Sequence, residues 1–239
     1  MLFCCVVTYN DYVRDDLITY LPEEIQSFEV VIARYNEDLS WVVKEFPDND
    51  ATITIYNKGK DDLNLPKKFN IIKLPNIGRE SHTYLYHIIK NYNNLADRTL
   101  FLQGDPYTKQ YLPYVFLPLK SYKKIAKTRC RNIIANHCFT HFAIINEYHF
   151  NRLPPERRSI TVYRDYNFFD FRKNYIQKRN PYGIIYMVYA ANFAVDKDKI
   201  LRNEISYYQK IIATLDSLSP IEGYYLERLW DEIFDSTKK

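Results

Sequence analysis

The stretch Ile71–Tyr107 reads IIKLPNIGRESHTYLYHIIKNYNNLADRTLFLQGDPY. Its apolar Asn70–Leu74 run, halted by Pro75, predicts a strand. Over Ser81–Asn94, residues Tyr84, Leu85, His87, Ile88 and Tyr92 recur at helical spacing, which predicts a helix with one apolar face. Thr99–Leu102 is a second short apolar run, closed by Gly104-Asp105-Pro106. Strand, helix, strand is one βαβ unit, with polar residues crowded where each strand ends. In open α/β sheets, ligands bind just beyond the carboxyl ends of the strands.

Working outward, the N-terminal side repeats the pattern. Leu2–Tyr9 and Phe28–Ala33 are continuous apolar runs, Leu39–Phe46 has a short helical pattern, and Ala51–Tyr56 is β-rich. Continuous runs suit strands covered on both faces, as in parallel sheets. Pro22-Glu23-Glu24 suits a helix start. Strands and helices thus alternate up to residue 105, the pattern of an α/β fold with a mainly parallel sheet flanked by helices. Beyond it the chain is mixed α+β. Ser121–Ile134 has a helical pattern, Cys138–Ile145 and Ile160–Tyr163 are short apolar segments, and Gly183–Val195 reads as a strand pair or bent strand. A helix begins at Asp196–Leu201, and helices are expected over Asn203–Ser217 and Ile221–Phe234, divided by Ser219-Pro220. With 239 residues and an ordinary apolar balance of 46%, one domain over residues 1–239 is expected. The alternating pattern covers residues 1–105, and residues 106–239 form the mixed half with the C-terminal helices.

Several function classes are disfavoured. The net charge of +4 comes without a block of like charges, so a nucleic-acid-binding arm is not expected. No run of about 18 apolar residues occurs, so no transmembrane helix is expected. Cys4 and Cys5 lie in an apolar run, and Cys130 and Cys138 lack zinc-site spacing, so reduced cysteines in a cytoplasmic setting are expected. His137 and His141 share helical spacing but lack the glutamate of a zincin. There is no phosphate-binding P-loop, G-x-G-x-x-G or G-x-S-x-G motif.

Six ordered phrases carry a resemblance: VVIARYNEDLSWV (30–42), YNKG (56–59), NIGRESHTYLYHII (76–89), LADRTLFLQGDP (95–106), AANFAVDKDKIL (190–201) and LERLWDEIF (226–234). Together they resemble an uncharacterised domain family of fungi and large DNA viruses, with A-x-Y-x-E-D-x-S-W, N-x-G-R-E, F-L-Q-G-D, A-x-F-A-V and E-x-x-W motifs. Its organisation is similar to GT-A-type glycosyltransferases. The resemblance implies a sugar transfer from a nucleotide-sugar donor to a glycan or other hydroxyl acceptor. It also implies a divalent cation, Mn²⁺ or Mg²⁺, and, if the chain is viral, the host cytoplasm.

Each candidate residue has a plainer reading beside the functional one. Asp105 at a strand exit can hold a hard cation against a diphosphate, or only cap the turn before Pro106. Gln103 occupies the place where the GT-A pattern carries its first acid. Gly78 and Arg79 open a helix suited to phosphate, or Asn76 and Ser81 simply cap it. Tyr35, Asn36 and Asp38 would meet a base and ribose, or Asp38 caps the helix carrying Trp41. Asn57 and Lys58 sit at the next strand exit, where Lys58 would contact phosphate or lie solvated. Glu227, and after it Glu222, are candidates for the catalytic base of an inverting transfer. The plainer reading ties Glu227 to an arginine with Trp230 packed beside it. Asp165 and Asp170 are rival acids. The Tyr- and Arg-rich segment 157–182 suits an acceptor cleft as well as packing. A catalytically silent nucleotide- or carbohydrate-binding module and a carboxylate-dependent hydrolase are the alternative functions.

Overall fold

A computed structural model describes residues 26–47, 51–62, 64–106, 133–135, 142–144, 168–176, 184–186 and 191–234. The expected elements at Leu2–Tyr9, Pro22–Glu24 and Ile160–Tyr163 lie outside these residues, as do the four cysteines, His137, His141 and Asp165.

The apolar runs become β1 (Phe28–Arg34), β2 (Thr52–Asn57), β3 (Asn70–Lys73) and β4 (Arg98–Gln103). Residues β5 (Ile133–Ala135) and β8 (Phe193–Asp196) complete one sheet in the order β3-β2-β1-β4-β8-β5. The β1–β2, β1–β4 and β2–β3 pairs are parallel, whereas β8 runs antiparallel to both β4 and β5. The fold is therefore α/β with a mixed sheet. A separate two-stranded sheet joins β6 (Phe142–Ile144) to β7 (Ile184–Tyr186).

Side-chain alternation divides the core between the two faces of the sheet. Val30, Ile32, Ile53, Ile55, Leu100 and Leu102 pack with Leu39, Val42 and Phe46, on or beside helix α1 (Ser40–Glu45). Val31, Tyr56, Phe101 and Phe193 face the other way, onto Tyr84, Leu85 and Ile88 of helix α2 (Arg79–Lys90). Burying each such side chain contributes on the order of 1.5–3 kcal/mol. Short helices α3 (Phe168–Phe171, continuing as a π-helical turn Arg172–Ile176) and α4 (Lys197–Ile200) precede α5 (Ile205–Ile212) and α6 (Ile221–Phe234). Helix α6 supplies Trp230, which stacks on Phe234 and tilts against Phe193 and Tyr84, all fully buried. A bidentate Arg172–Glu232 pair at 2.7 Å ties the π-helical turn to α6.

Three sequence expectations change. Strands β3 and β4 are not neighbours: α2 carries the chain from edge strand β3 across β2 and β1 to β4. Ile71–Tyr107 thus spans the parallel half of the sheet rather than one local βαβ unit. Ile71 and Ile72 are partly exposed because β3 has a partner on one side alone. Within Ser121–Ile134, Ile133 and Ile134 are strand rather than helix, paired with Val195 and Ala194. Gly183–Val195 contains two strands, but they belong to different sheets.

Candidate functional site

Parallel strands deliver their loops to one edge, and in the order β3-β2-β1-β4 the chain reverses direction between β1 and β4. In open α/β sheets such a switch point is where a ligand crevice forms. Residues 34–38 follow β1, residues 103–106 follow β4, and β8, running antiparallel, starts at the same edge.

The β1 exit is built around Arg34, which is 4% exposed. Its guanidinium donates to the Glu37 and Lys60 carbonyls, Asn57 Oδ1 and Asp62 Oδ1, at 2.7 to 3.0 Å. An arginine tolerates such burial only when its donors are matched in this way. Asn57 turns inward with it: Nδ2 donates to the Lys60 carbonyl and Asp61, while Oδ1 also accepts the Gly59 N–H. Asn36 Oδ1 accepts the Lys60 N–H, and a Cβ on Gly59 would sit 1.5 Å from the Tyr35 carbonyl. Asn36 and Asn57 therefore brace the loops they belong to. Tyr35 is half exposed at this edge. Asp38 accepts both the Ser40 N–H and hydroxyl, which hold its carboxyl below the usual range, but Leu39 occupies the N-cap of α1 and no side chain caps that helix.

The β4 exit is clamped from two sides. Trp41 Nε1 donates to the Gly104 carbonyl at 2.9 Å, and Asn192 Oδ1 accepts the Gln103 N–H at 2.9 Å. Glu37 lies against Gly104: a Cβ there would stand 2.5 Å from Glu37 Oε2, so the carboxylate would have to shift to admit one. The same Oε2 accepts the Tyr35 N–H at 2.6 Å. Glu37 was read as part of a polar turn, yet the fold sets it beside the residue preceding the exposed Asp105. Its sequence signal was indirect, in that the Gln103-Gly104-Asp105 step has a glycine where something must come close.

A second cluster occupies the β2–β3 end of the edge. Helix α2 begins at Gly78, in the left-handed region at φ 60°, without a side-chain cap; neither Asn76 nor Ser81 serves as one. Arg79 follows at φ 51°, an unusual conformation for a residue with a Cβ. Lys58 reaches under this turn and donates to the carbonyls of Ile77, at 2.7 Å, and of Arg79. Its ammonium thus holds the turn, and burial pushes its pKa down to about 8. The Arg79 guanidinium covers the Tyr224 ring at 4.4 Å and lies 3.5 Å from Glu80. Burial raises the Glu80 pKa, against the favourable pull of Arg79 and its own N–H, and Glu227 raises it further. Glu227 is thus close enough to Glu80 for the two carboxylates to repel. It also lies 3.8 Å from Arg228. Glu222 is half buried in the first turn of α6, and Asp170 is exposed on α3.

The structure therefore gathers Tyr35, Gln103 and Asp105 at the switch point, adds Glu37 and Asn192, and leaves Lys58, Arg79 and Glu227 at the other end of the edge. Strands lie about 4.8 Å apart, so β2 and β4 are separated by about 10 Å. Among the described residues, no three or more His, Cys, Asp or Glu side chains form a metal-binding group. Mg²⁺ needs fewer, since one or two carboxylates with substrate phosphates suffice. Among the described residues, no helix is long and apolar enough to cross a membrane.

No curated protein and no solved structure matches the chain. A sequence family described as "Protein of unknown function (DUF3431)" matches residues 30–239, so the chain belongs to that family.

Proposed function

We propose that this protein is a glycosyltransferase of GT-A-like organisation, moving a sugar from a nucleotide-sugar to a hydroxyl acceptor. The observation that carries the reading is the switch point between β1 and β4, where Glu37 lies against Gly104 beside Asp105. Two carboxylates from different strand exits then answer the requirement that Gln103 leaves unmet within one motif.

In this reading Tyr35, exposed beside the crevice, stacks on the base of the donor. Asp105 and Glu37 would hold a divalent cation, Mn²⁺ or Mg²⁺, which when bound offsets the charge of the leaving diphosphate. The Trp41 and Asn192 clamps fix the backbone that aims Asp105, so little rearrangement is needed when the ligand arrives. In an inverting transfer the acceptor oxygen attacks the anomeric carbon, the bond to the diphosphate breaks, and a carboxylate takes the hydroxyl proton. Glu227 is the assigned base.

Gln103 itself favours a second reading, a nucleotide- or carbohydrate-binding module that has lost turnover. A melting-temperature panel of nucleotide-sugars, with and without Mn²⁺, tests both. Preferential binding to the folded state raises the transition. No shift with any nucleoside diphosphate or nucleotide-sugar would refute nucleotide binding. A shift that depends on Mn²⁺, and loses that dependence in Asp105→Ala and Glu37→Ala, supports the metal assignment. Binding without turnover over a broad acceptor set favours the silent module.

A further inference from the structure

The inner end of β8 departs from its ladder with β4. Phe101 pairs with Phe193, and two residues earlier Ala191 enters the left-handed region at φ 48° although it carries a Cβ and is fully buried. Such conformations persist only where the surroundings impose them, and they concentrate at sites of function. Between these two residues lies Asn192, 1% exposed. Its Oδ1 accepts the Gln103 N–H where the interrupted ladder supplies no backbone acceptor. Its Nδ2 is buried with no acceptor at all.

The opposite end of the edge repeats the combination. Arg79 is the other non-glycine residue of positive φ among the described residues, and one turn later His82 Nδ1 is buried without a partner. Strain and an unused buried polar atom therefore coincide twice, both times at the edge where a ligand of this fold would lie. Buried donors without acceptors are uncommon, and each asks for a reason. The need to anchor Gln103 does not supply one, since an aspartate oxygen would accept that N–H without leaving a donor over.

We propose that Asn192 is a ligand-binding residue whose Nδ2 donates to a hydroxyl oxygen of the sugar carried by the donor nucleotide. This rests on the transferase reading. A neutral amide suits a neutral oxygen, whereas the diphosphate is answered by Asp105, Glu37 and their cation. Because Oδ1 is tied to Gln103, the amide cannot flip, so Nδ2 is held as a donor. A donor already removed from water bonds more strongly to an arriving oxygen.

Calorimetric titration in Mn²⁺ tests this, with UDP-glucose, UDP-N-acetylglucosamine and GDP-mannose each compared with its free nucleoside diphosphate. The key variant is Asn192→Asp, which keeps an oxygen for the Gln103 N–H and removes the donor. For the sugar nucleotide that the wild type prefers, Asn192→Asp should bind roughly tenfold more weakly. Binding of the free diphosphate should stay within about twofold. Asn192→Ala brings no charge into the core but also frees the Gln103 N–H, so it should weaken the sugar nucleotide by at least as much and the free diphosphate by a smaller factor, and a retained cooperative melting transition certifies each variant as folded. Equal losses for sugar nucleotide and diphosphate, or no loss, would overturn the assignment while leaving nucleotide binding intact. A folded wild type that binds the diphosphate but gains nothing from any sugar would overturn it as well. A wild type that binds no nucleotide would overturn the transferase reading, and this assignment with it.

Discussion

Replacing Gly104 by alanine tests the contact on which the switch-point site depends. The new Cβ would stand 2.5 Å from Glu37 Oε2, 2.8 Å from Cδ and 3.1 Å from Cβ. Carbon pairs settle at about 3.5–4.0 Å, so the carboxylate must withdraw by roughly 1 Å. Withdrawal breaks the 2.6 Å bond that Oε2 accepts from the Tyr35 N–H. That loss costs about 1 kcal/mol at an exposed position, and residual crowding adds about 1–2 kcal/mol. Reduced freedom of the unfolded chain returns about 0.5 kcal/mol. The expected net cost is about 1.5–2.5 kcal/mol.

The same substitution in a Glu37→Ala background meets only a Cβ at 3.1 Å, which a few tenths of an ångström relieves. There it should be nearly neutral. Denaturant unfolding of the four proteins closes a double-mutant cycle, with an expected coupling of about 1.5–2.5 kcal/mol and unchanged m-values. A Gly104→Ala cost that is the same in both backgrounds, within about 0.5 kcal/mol, would refute the contact. The two-carboxylate site built on it would fall too.

Three further predictions concern the frame around the site. His87 is 1% exposed, and burial holds its pKa at about 4 rather than 6.5. Above pH 6.5 it is neutral in both states; below, the unfolded chain takes up the proton first, so stability falls until about pH 4. The loss reaches about 3 kcal/mol. His87→Phe should be less stable at pH 7.5, where Tyr56 and Asn91 lose their Nδ1 partner, yet decline less between pH 6.5 and 4. Parallel acid-unfolding curves for the two proteins would contradict this. At Arg79, φ 51° reverses the usual helix ranking, so Arg79→Gly should be more stable than Arg79→Ala by about 1 kcal/mol in urea unfolding. The opposite order would mean that the turn does not hold this conformation in solution. Arg34→Lys keeps the charge but not the fork that serves Glu37, Asn57, Lys60 and Asp62. A stability loss of about 2–4 kcal/mol is expected, and one below about 1 kcal/mol would show that the four contacts are not made together.

How much of this was legible depended on whether the cause was local. Continuous apolar runs announced β1, β2 and β4, and the apolar periodicity of α2 and of Ile221–Phe234 announced two principal helices, the second to the residue. The Asp38 cap expected from the sequence is displaced by one residue: Asp38 bonds Ser40 locally while Leu39 takes the N-cap. Strand order could not be read, since periodicity says which face a residue takes and nothing about which strand lies alongside. Strand β5, three residues long, carries too little pattern to separate it from a helix end. Lys58 read as either a phosphate contact or a solvated turn residue because the carbonyls that hold it come from residues 19 and 21 positions away. Burial of a cation is a property of its acceptors, and those are assembled only by the fold.

Counting acids along the sequence fails at the switch point for the same reason. Gln103-Gly104-Asp105 contains one carboxylate, and read as a motif it falls short by one. The fold brings Glu37 to Gly104 from another strand exit, across 67 positions of sequence, because β1 and β4 are neighbours in parallel register with Ala33 opposite Gln103. Two features of the chain record that meeting. Gly104 has no Cβ where one would press on the carboxylate, and Trp41 holds the carbonyl of the same residue. Were Glu37 placed elsewhere, a Cβ on Gly104 would meet no carboxylate and Gly104→Ala would be a harmless change. The steric demand at residue 104 is therefore the property that separates a site with two carboxylates from a strand exit with one.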